Sequence, residues 1–304
     1  MSSRKNKSPK KLSLLVIYSL ITALVTVFFS GPFLRVLRRS YGPMVYWSLF
    51  IALVSASAIT KTYLVLCFLG ALWLTLGLSV EFEKARMSFS INLLISSIVG
   101  ALFSMGGYVY VLAEEGINNF ERFKVYFKEA VETFLKAKSE VEVDWEMLIY
   151  QIPSMVMLFF LVSIVVGYLF ERRVYFWLKL PKQSTFYKIN FLDYKVSELT
   201  VWVSLFALLI GVLDLKNLNL ENLKIWQAVS SNLINILVIV FFFQGMAIME
   251  SFLRKIKAGI FFRAFTYFIF IGQLFLVLSL LGFIDFWIDF RTRIDKMGWL
   301  KNEI

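Results

Sequence analysis

Residues 12–34 read LSLLVIYSLITALVTVFFSGPFL, a stretch without a single charge. A hydrocarbon core about 30 Å thick is crossed by about 20 apolar residues in a helix, so this stretch predicts a transmembrane helix. The preceding tail, SSRKNKSPKK, resembles the n-region of a signal peptide, but the apolar run is long and enters SGPFLRVLRR with no small-x-small cleavage site. We read it as a retained helix. Seven more uncharged runs follow, at 44–60, 62–80, 87–113, 147–170, 199–213, 225–249 and 264–284. The runs 44–60 and 199–213 are short for a crossing and call for local thinning, snorkelling by Lys61 and Lys195, or a re-entrant path.

Composition agrees. Of 304 residues 59% are hydrophobic and 17% charged, with a mean hydropathy of +0.72, whereas soluble domains are about half apolar and about a quarter charged. The expected fold is an all-α integral membrane protein, a single bundle of about eight transmembrane helices. Its divisions are a basic tail (1–11), a four-span N-terminal half (12–113), an acidic amphipathic segment (114–146), a four-span C-terminal half (147–284) and an interfacial tail (285–304). The formal charge of +11 is scattered between the apolar runs, which suits anionic lipid and resembles no nucleic-acid patch. With no histidine, and Cys67 the lone cysteine, imidazole acid/base chemistry, His-ligated zinc and CxxC redox chemistry drop out. No cofactor, metal or catalytic residue is expected. Lys and Arg divide almost evenly between the two sides of an eight-span arrangement, so the positive-inside rule sets no orientation.

Segment 114–146 carries nine acids and five bases. Ile117, Phe120, Phe123, Phe127, Ala130, Val131 and Phe134 recur at three- and four-residue steps, which predicts an amphipathic helix opened by Asn118 with Glu121 at the capping-box position. It lies on the interface or the bundle, or acts as a lid or docking surface. The basic, aromatic connection 171–198 is expected to hug headgroups, and Trp145, Trp177, Trp202, Trp226 and Trp287 to anchor run ends.

Polar groups inside a membrane face protein, water or a ligand. Asn232, Asn235, Met246 and Glu250 share one face of a helix, with Gln244 off that face; the amides serve a polar solute or bond neighbouring helices. Gln273 sits beside Gly272, which allows close backbone approach. Asp285, Asp289 and Arg293 follow at four-residue steps, and a continuing helix would pair Asp289 with Arg293. No embedded ion pair is evident. Ser96, Gly100 and Ser104, and likewise Ala52 and Ala56, form small-residue faces for helix docking, within the chain or to a partner.

The segment NLINILVIVFFFQGMAIMESFLRK, with LLGFIDFWIDFRTR about twenty-five residues later, resembles the YybS-type family of bacterial multi-span membrane proteins. The resemblance falls on Asn232 or Asn235, Gln244, Gly245, Gly282, Asp285, Asp289 and Arg291. That family is in turn remotely similar to the substrate-binding S subunits of energy-coupling-factor transporters, six-helix proteins that capture vitamins and dock on a coupling subunit driven by two ATPases. The resemblance implies a multi-pass protein of the bacterial cytoplasmic membrane. It would be the solute-binding component of a small-molecule uptake system, no enzyme itself, working with a coupling subunit and ATPases. The alternative is a non-transport scaffold or regulator of envelope or division machinery.

Overall fold

The computed structural model describes residues 8–25, 27–135, 144–180, 192, 194–212 and 223–296, and these are helical with short connections. The chain divides into two compact units, 1–187 and 188–304.

The first unit contains α1 (Pro9–Val25), α2 (Val27–Tyr41) and α3 (Pro43–Ile59). The span Tyr63–Lys84 follows, made of α4 (Tyr63–Val65), a π-helical turn (Leu66–Gly70) and α5 (Ala71–Lys84). Next come α6 (Phe89–Glu114), α7 (Phe120–Leu135), α8 (Trp145–Tyr150) and α9 (Ile152–Trp177). The second unit contains α10 (Glu198–Val212), α11 (Leu223–Lys255), α12 (Ile260–Gly272), α13 (Phe275–Ile288) and α14 (Phe290–Lys296).

The run 12–34 is not one crossing. The rings of Tyr18 and Phe33 lie 5.7 Å apart, and the Tyr41 hydroxyl donates to the Ser8 carbonyl at 3.1 Å. A straight helix would hold residues 18 and 33 about 22 Å apart. The chain therefore turns back between α1 and α2, which form an antiparallel hairpin. Gly31 and Pro32 lie inside α2, where Pro removes a backbone donor. From there the helices alternate in direction. Thr75 of α5 meets Gly100 of α6 and Cys67 meets Gly107, an antiparallel pairing. Phe89 meets Tyr168 and Gly100 meets Phe160, which sets α6 antiparallel to α9. The first unit thus packs six alternating helices: α1, α2, α3, the span Tyr63–Lys84, α6 and α9. The helix α7 rests on α8 and on the end of α6 through Phe120 against Tyr150 and Phe123 against Tyr108. Its cap is Asn119, whose side chain accepts from the Arg122 N–H at 2.8 Å, in place of the expected Asn118.

Several helix ends repeat one device. Lys61, Arg86, Lys179 and Lys257 take left-handed backbone conformations of φ 54°, 63°, 47° and 52°. The next residue in each case returns a long hydrogen bond to the last turn, as Met87 N–H does to the Phe82 carbonyl at 3.1 Å and Leu180 N–H to the Tyr175 carbonyl at 3.0 Å. Glycine is the usual occupant. A cation there offsets part of the conformational cost by lying beside the carbonyl-rich helix end.

Among the described residues four helices are long and apolar enough to cross a membrane: Tyr63–Lys84, Phe89–Glu114, Ile152–Trp177 and Ile225–Lys255. A fifth results if α12 and α13 are one broken span. The expected count of eight is not reached. The run 12–34 folds back, 264–284 bends by 93° between α12 and α13, and the helices Pro43–Ile59 and Glu198–Gly211 stay short. Phe261, Phe265 and Phe268 of α12 are exposed, and in a membrane protein such a face meets lipid chains. Trp177, Trp202, Trp226 and Trp287 are exposed too, as headgroup-level anchors would be.

Candidate functional site

The principal cluster of buried charge lies at one end of the first unit and grows from the α2 hairpin arm. At Gly31 and Gly167 the backbones of α2 and α9 touch: a Cβ on Gly31 would lie 2.6 Å from the Ser163 carbonyl oxygen, and one on Gly167 would lie 2.7 Å from Arg35 Cδ. With no side chain at Gly167, the Arg35 stem passes over α9 and its guanidinium enters the bundle, fully buried. There Nη2 donates to Glu83 Oε1 at 2.6 Å, Nη1 to the Ser79 hydroxyl at 3.0 Å and Nε to Glu171 Oε2 at 3.2 Å. Ser79 and Glu83 are four residues apart and so share a face of α5. The Tyr168 ring closes the pocket, its centroid 5.7 Å from the guanidinium carbon.

Arg39, one turn on, joins the same two acids, reaching Glu83 and, at 3.2 Å from its Nε, Glu171 Oε1. Arg38 pairs with Glu81. Three cations thus balance three anions drawn from α2, α5 and α9. Asn92 extends the polar layer into α6 by donating to the Ser79 carbonyl at 2.9 Å and accepting from Ser96 at 3.0 Å. The physics favours a clasp. Burial of an isolated charge costs several kcal/mol, roughly recovered when partners and hydrogen bonds are in place, while removal of one partner costs about 3–5 kcal/mol. The network pins four helices in one register. Its least satisfied member is Arg38, whose buried Nε and Nη1 lack a hydrogen-bond partner among the described residues.

In the second unit a separate node gathers five residues of the C-terminal sequence signature, Gln244, Gly245, Gly282, Asp285 and Arg291. Gly245 of α11 and Gly282 of α13 face each other's helix: a Cβ on Gly245 would overlap the Leu278 carbonyl, and one on Gly282 would overlap the Phe241 carbonyl and lie 2.8 Å from the Gly245 nitrogen. This close crossing brings Gln244 to Asp285. Its Nε2 donates to Asp285 Oδ2 at 2.9 Å, and its Oε1 accepts from the Val196 N–H at 2.8 Å. Arg291 Nη2 lies 3.6 Å from the same Asp285 oxygen, and its guanidinium donates to the carbonyls of Leu192 at 2.7 Å and Tyr194 at 2.5 Å. Asp285 also accepts from the Phe290 N–H at 2.8 Å. Side chains from α11, α13 and α14 thereby fasten the chain that enters α10 and the turn into α14.

Other sequence candidates fall elsewhere. Asp289 ends α13 with φ 50° and accepts from the Thr292 hydroxyl at 2.7 Å, so the helix does not continue through it. Arg293 donates instead to the Ile288 carbonyl at 3.1 Å, and the expected Asp289 to Arg293 ion pair does not form. Asn232 is half-buried and donates to the Ala228 carbonyl at 2.7 Å, and Asn235 is half-buried on the same helix. Gln273 is exposed at the bend, and a Cβ on Gly272 would meet open space, so among the described residues no helix approaches there. Ser96, Gly100 and Ser104 are buried inside the first unit, Gly100 directly against Thr75. Ala52 and Ala56 are exposed on α3. Shallow grooves of about 400 Å³ lie along α7, one lined by Ile117, Glu121, Arg122, Val125, Tyr126 and Glu129. The segment of connection 171–198 at 181–191 and the tail at 1–7 lie outside the described residues.

Reasoning from sequence missed the Arg35 network and expected no embedded ion pair. The signal was present in RVLRR at 35–39, VEFEK at 80–84 and FERR at 170–173, three charged groups that each close an apolar run. Only the hairpin places them at one end. Neither a curated protein nor a solved structure matches the chain. A family model described as a predicted membrane protein matches residues 12–286, which include the arginine cluster and, of the second cluster, Gln244 and Asp285, and the chain accordingly belongs to the DUF2232 family of predicted membrane proteins.

Proposed function

We propose that this protein is the solute-binding component of a small-molecule uptake system of the bacterial cytoplasmic membrane, with no catalytic centre of its own and with energy supplied by a separate coupling subunit and ATPases. The observation that carries the reading is the fate of the two small-residue faces. Ser96, Gly100 and Ser104 are consumed inside the first unit, whereas Ala52 and Ala56 stay exposed on α3. Lipid offers no hydrophobic gain for helix association, so close van der Waals contact at small residues is what draws a partner helix in. The six alternating helices of the first unit support the same reading, since six is the helix number of the S subunits to which the YybS-type signature is remotely similar. A scaffold or regulator is the second reading, favoured by the grooves along α7, one of which Glu121, Arg122 and Glu129 line.

Gentle-detergent purification from the native membrane, with partners identified by mass, tests the choice. Recovery of an ATPase and a coupling subunit with the parent, and their loss in a folded Ala56→Leu variant, supports uptake. Recovery of cell-wall or division proteins alone, released by substitutions on α7, refutes it.

A further inference from the structure

The hairpin changes the charge map of the first unit. Read as one crossing, the run 12–34 puts the N-terminal bases and Arg35, Arg38 and Arg39 on opposite sides, and the bias cancels. With α2 folded back on α1, Tyr41 meets Ser8 and Lys11 Nζ donates to the Lys179 carbonyl at 2.9 Å. The three arginines bind Glu81, Glu83 and Glu171 at this same end. Arg86 follows α5 here, and Arg172 and Arg173 adjoin Glu171. Among the described residues ten Lys and Arg, Lys84 at the end of α5 included, now stand at this end against three acids, all three of them engaged by the arginine cluster. Lys10, Arg86, Arg172, Arg173 and Lys179 project outward, exposed.

The opposite end differs. Among the described residues it holds Lys61, Arg122, Lys124 and Lys128, and its acids include Glu114, Glu115, Glu121, Glu129 and Glu132. The Lys124 to Glu146 pair, at 3.8 Å, fastens α7 to α8 there. Helices of 22 to 26 residues separate the two ends, about 33–39 Å at 1.5 Å per residue, enough to span a hydrocarbon core.

We propose that the basic end of the first unit is its cytoplasmic face, seated on the anionic headgroups of that leaflet, and that α7 with its grooves is displayed on the opposite side of the membrane. Lys and Arg within reach of span ends are retained on the cytoplasmic side, and bases near an anionic surface are drawn to it. The arginines of the clasp are spent on Glu81, Glu83 and Glu171, so headgroup binding falls to the outward bases. This assignment does not depend on the uptake reading. A scaffold would be oriented the same way.

Orientation is tested in a Cys67→Ser background by a membrane-impermeant maleimide applied to intact cells. Ala130→Cys on α7 is expected to label directly, and Arg86→Cys only after permeabilisation. The reverse pattern, or labelling of both sites from outside, overturns the proposal. Headgroup contact is tested separately in nanodiscs. The protein should melt higher in phosphatidylglycerol than in phosphatidylcholine, and the difference should shrink in Arg172→Gln/Arg173→Gln. Equal melting of the parent in both lipids overturns the seating on anionic headgroups.

Discussion

Arg35→Met removes the centre of the clasp while keeping a long apolar stem over Gly167. Three hydrogen bonds are lost, to Glu83, Ser79 and Glu171, and two buried acids are left to share Arg39. The cluster moves from balance to one excess negative charge. Breaking a buried pair from one side costs about 3–5 kcal/mol. For a cooperative unit of this size each kcal/mol lowers the melting temperature by about 2–4 °C, so a fall of about 6–20 °C is expected. The assay is thermal unfolding in detergent followed by size-exclusion chromatography. Arg35→Met with Glu171→Gln restores charge balance and should recover part of the loss, a non-additivity expected of groups in one network. An Arg35→Met protein that melts within about 2 °C of the parent, with no effect of the second substitution, would refute the clasp, because so small a shift corresponds to at most about 1 kcal/mol.

Gly282→Ala places a methyl against the Phe241 carbonyl and should destabilise the second unit by about 1–3 kcal/mol, whereas Gly272→Ala, into open space, should leave its melting unchanged; equal effects in a melting series would count against the close crossing of α11 and α13. Gln244→Leu strands the Val196 N–H and an Asp285 oxygen, a loss of about 1–3 kcal/mol. Hydrogen exchange should then quicken at Val196 while α6 amides keep their protection.

The helical class and the membrane setting are legible in the sequence, because apolar runs such as 87–113 and 147–170 are long enough to be unambiguous. The C-terminal polar cluster is partly legible as well. Gln244, Gly245, Gly282, Asp285 and Arg291 form a recognisable pattern, and the structure brings them within a few ångströms. What periodicity does not encode is a reversal inside an apolar run. Hydropathy is blind to direction, so 12–34 reads the same straight or folded, and 264–284 reads the same straight or bent. The error then propagates. With Arg35 assigned to a loop beyond a crossing, its meeting with Glu83 and Glu171 is invisible, since that contact joins residues far apart in sequence. The Asp289 to Arg293 expectation failed for a local reason: a left-handed residue at Asp289 ends the helix on which four-residue spacing depends.

The hairpin of α1 and α2 supports both the clasp and the orientation, and one distance tests it. In a Cys67→Ser background, Tyr18→Cys and Phe33→Cys are joined by a short bis-maleimide and the linked peptides identified by mass. Folded back, the two positions face each other, as their rings do at 5.7 Å, and the cross-link should form as readily as in a Tyr18→Cys/Thr22→Cys control one helical turn apart. A straight helix would hold positions 18 and 33 about 22 Å apart, and absence of the link while the control reacts would contradict the account.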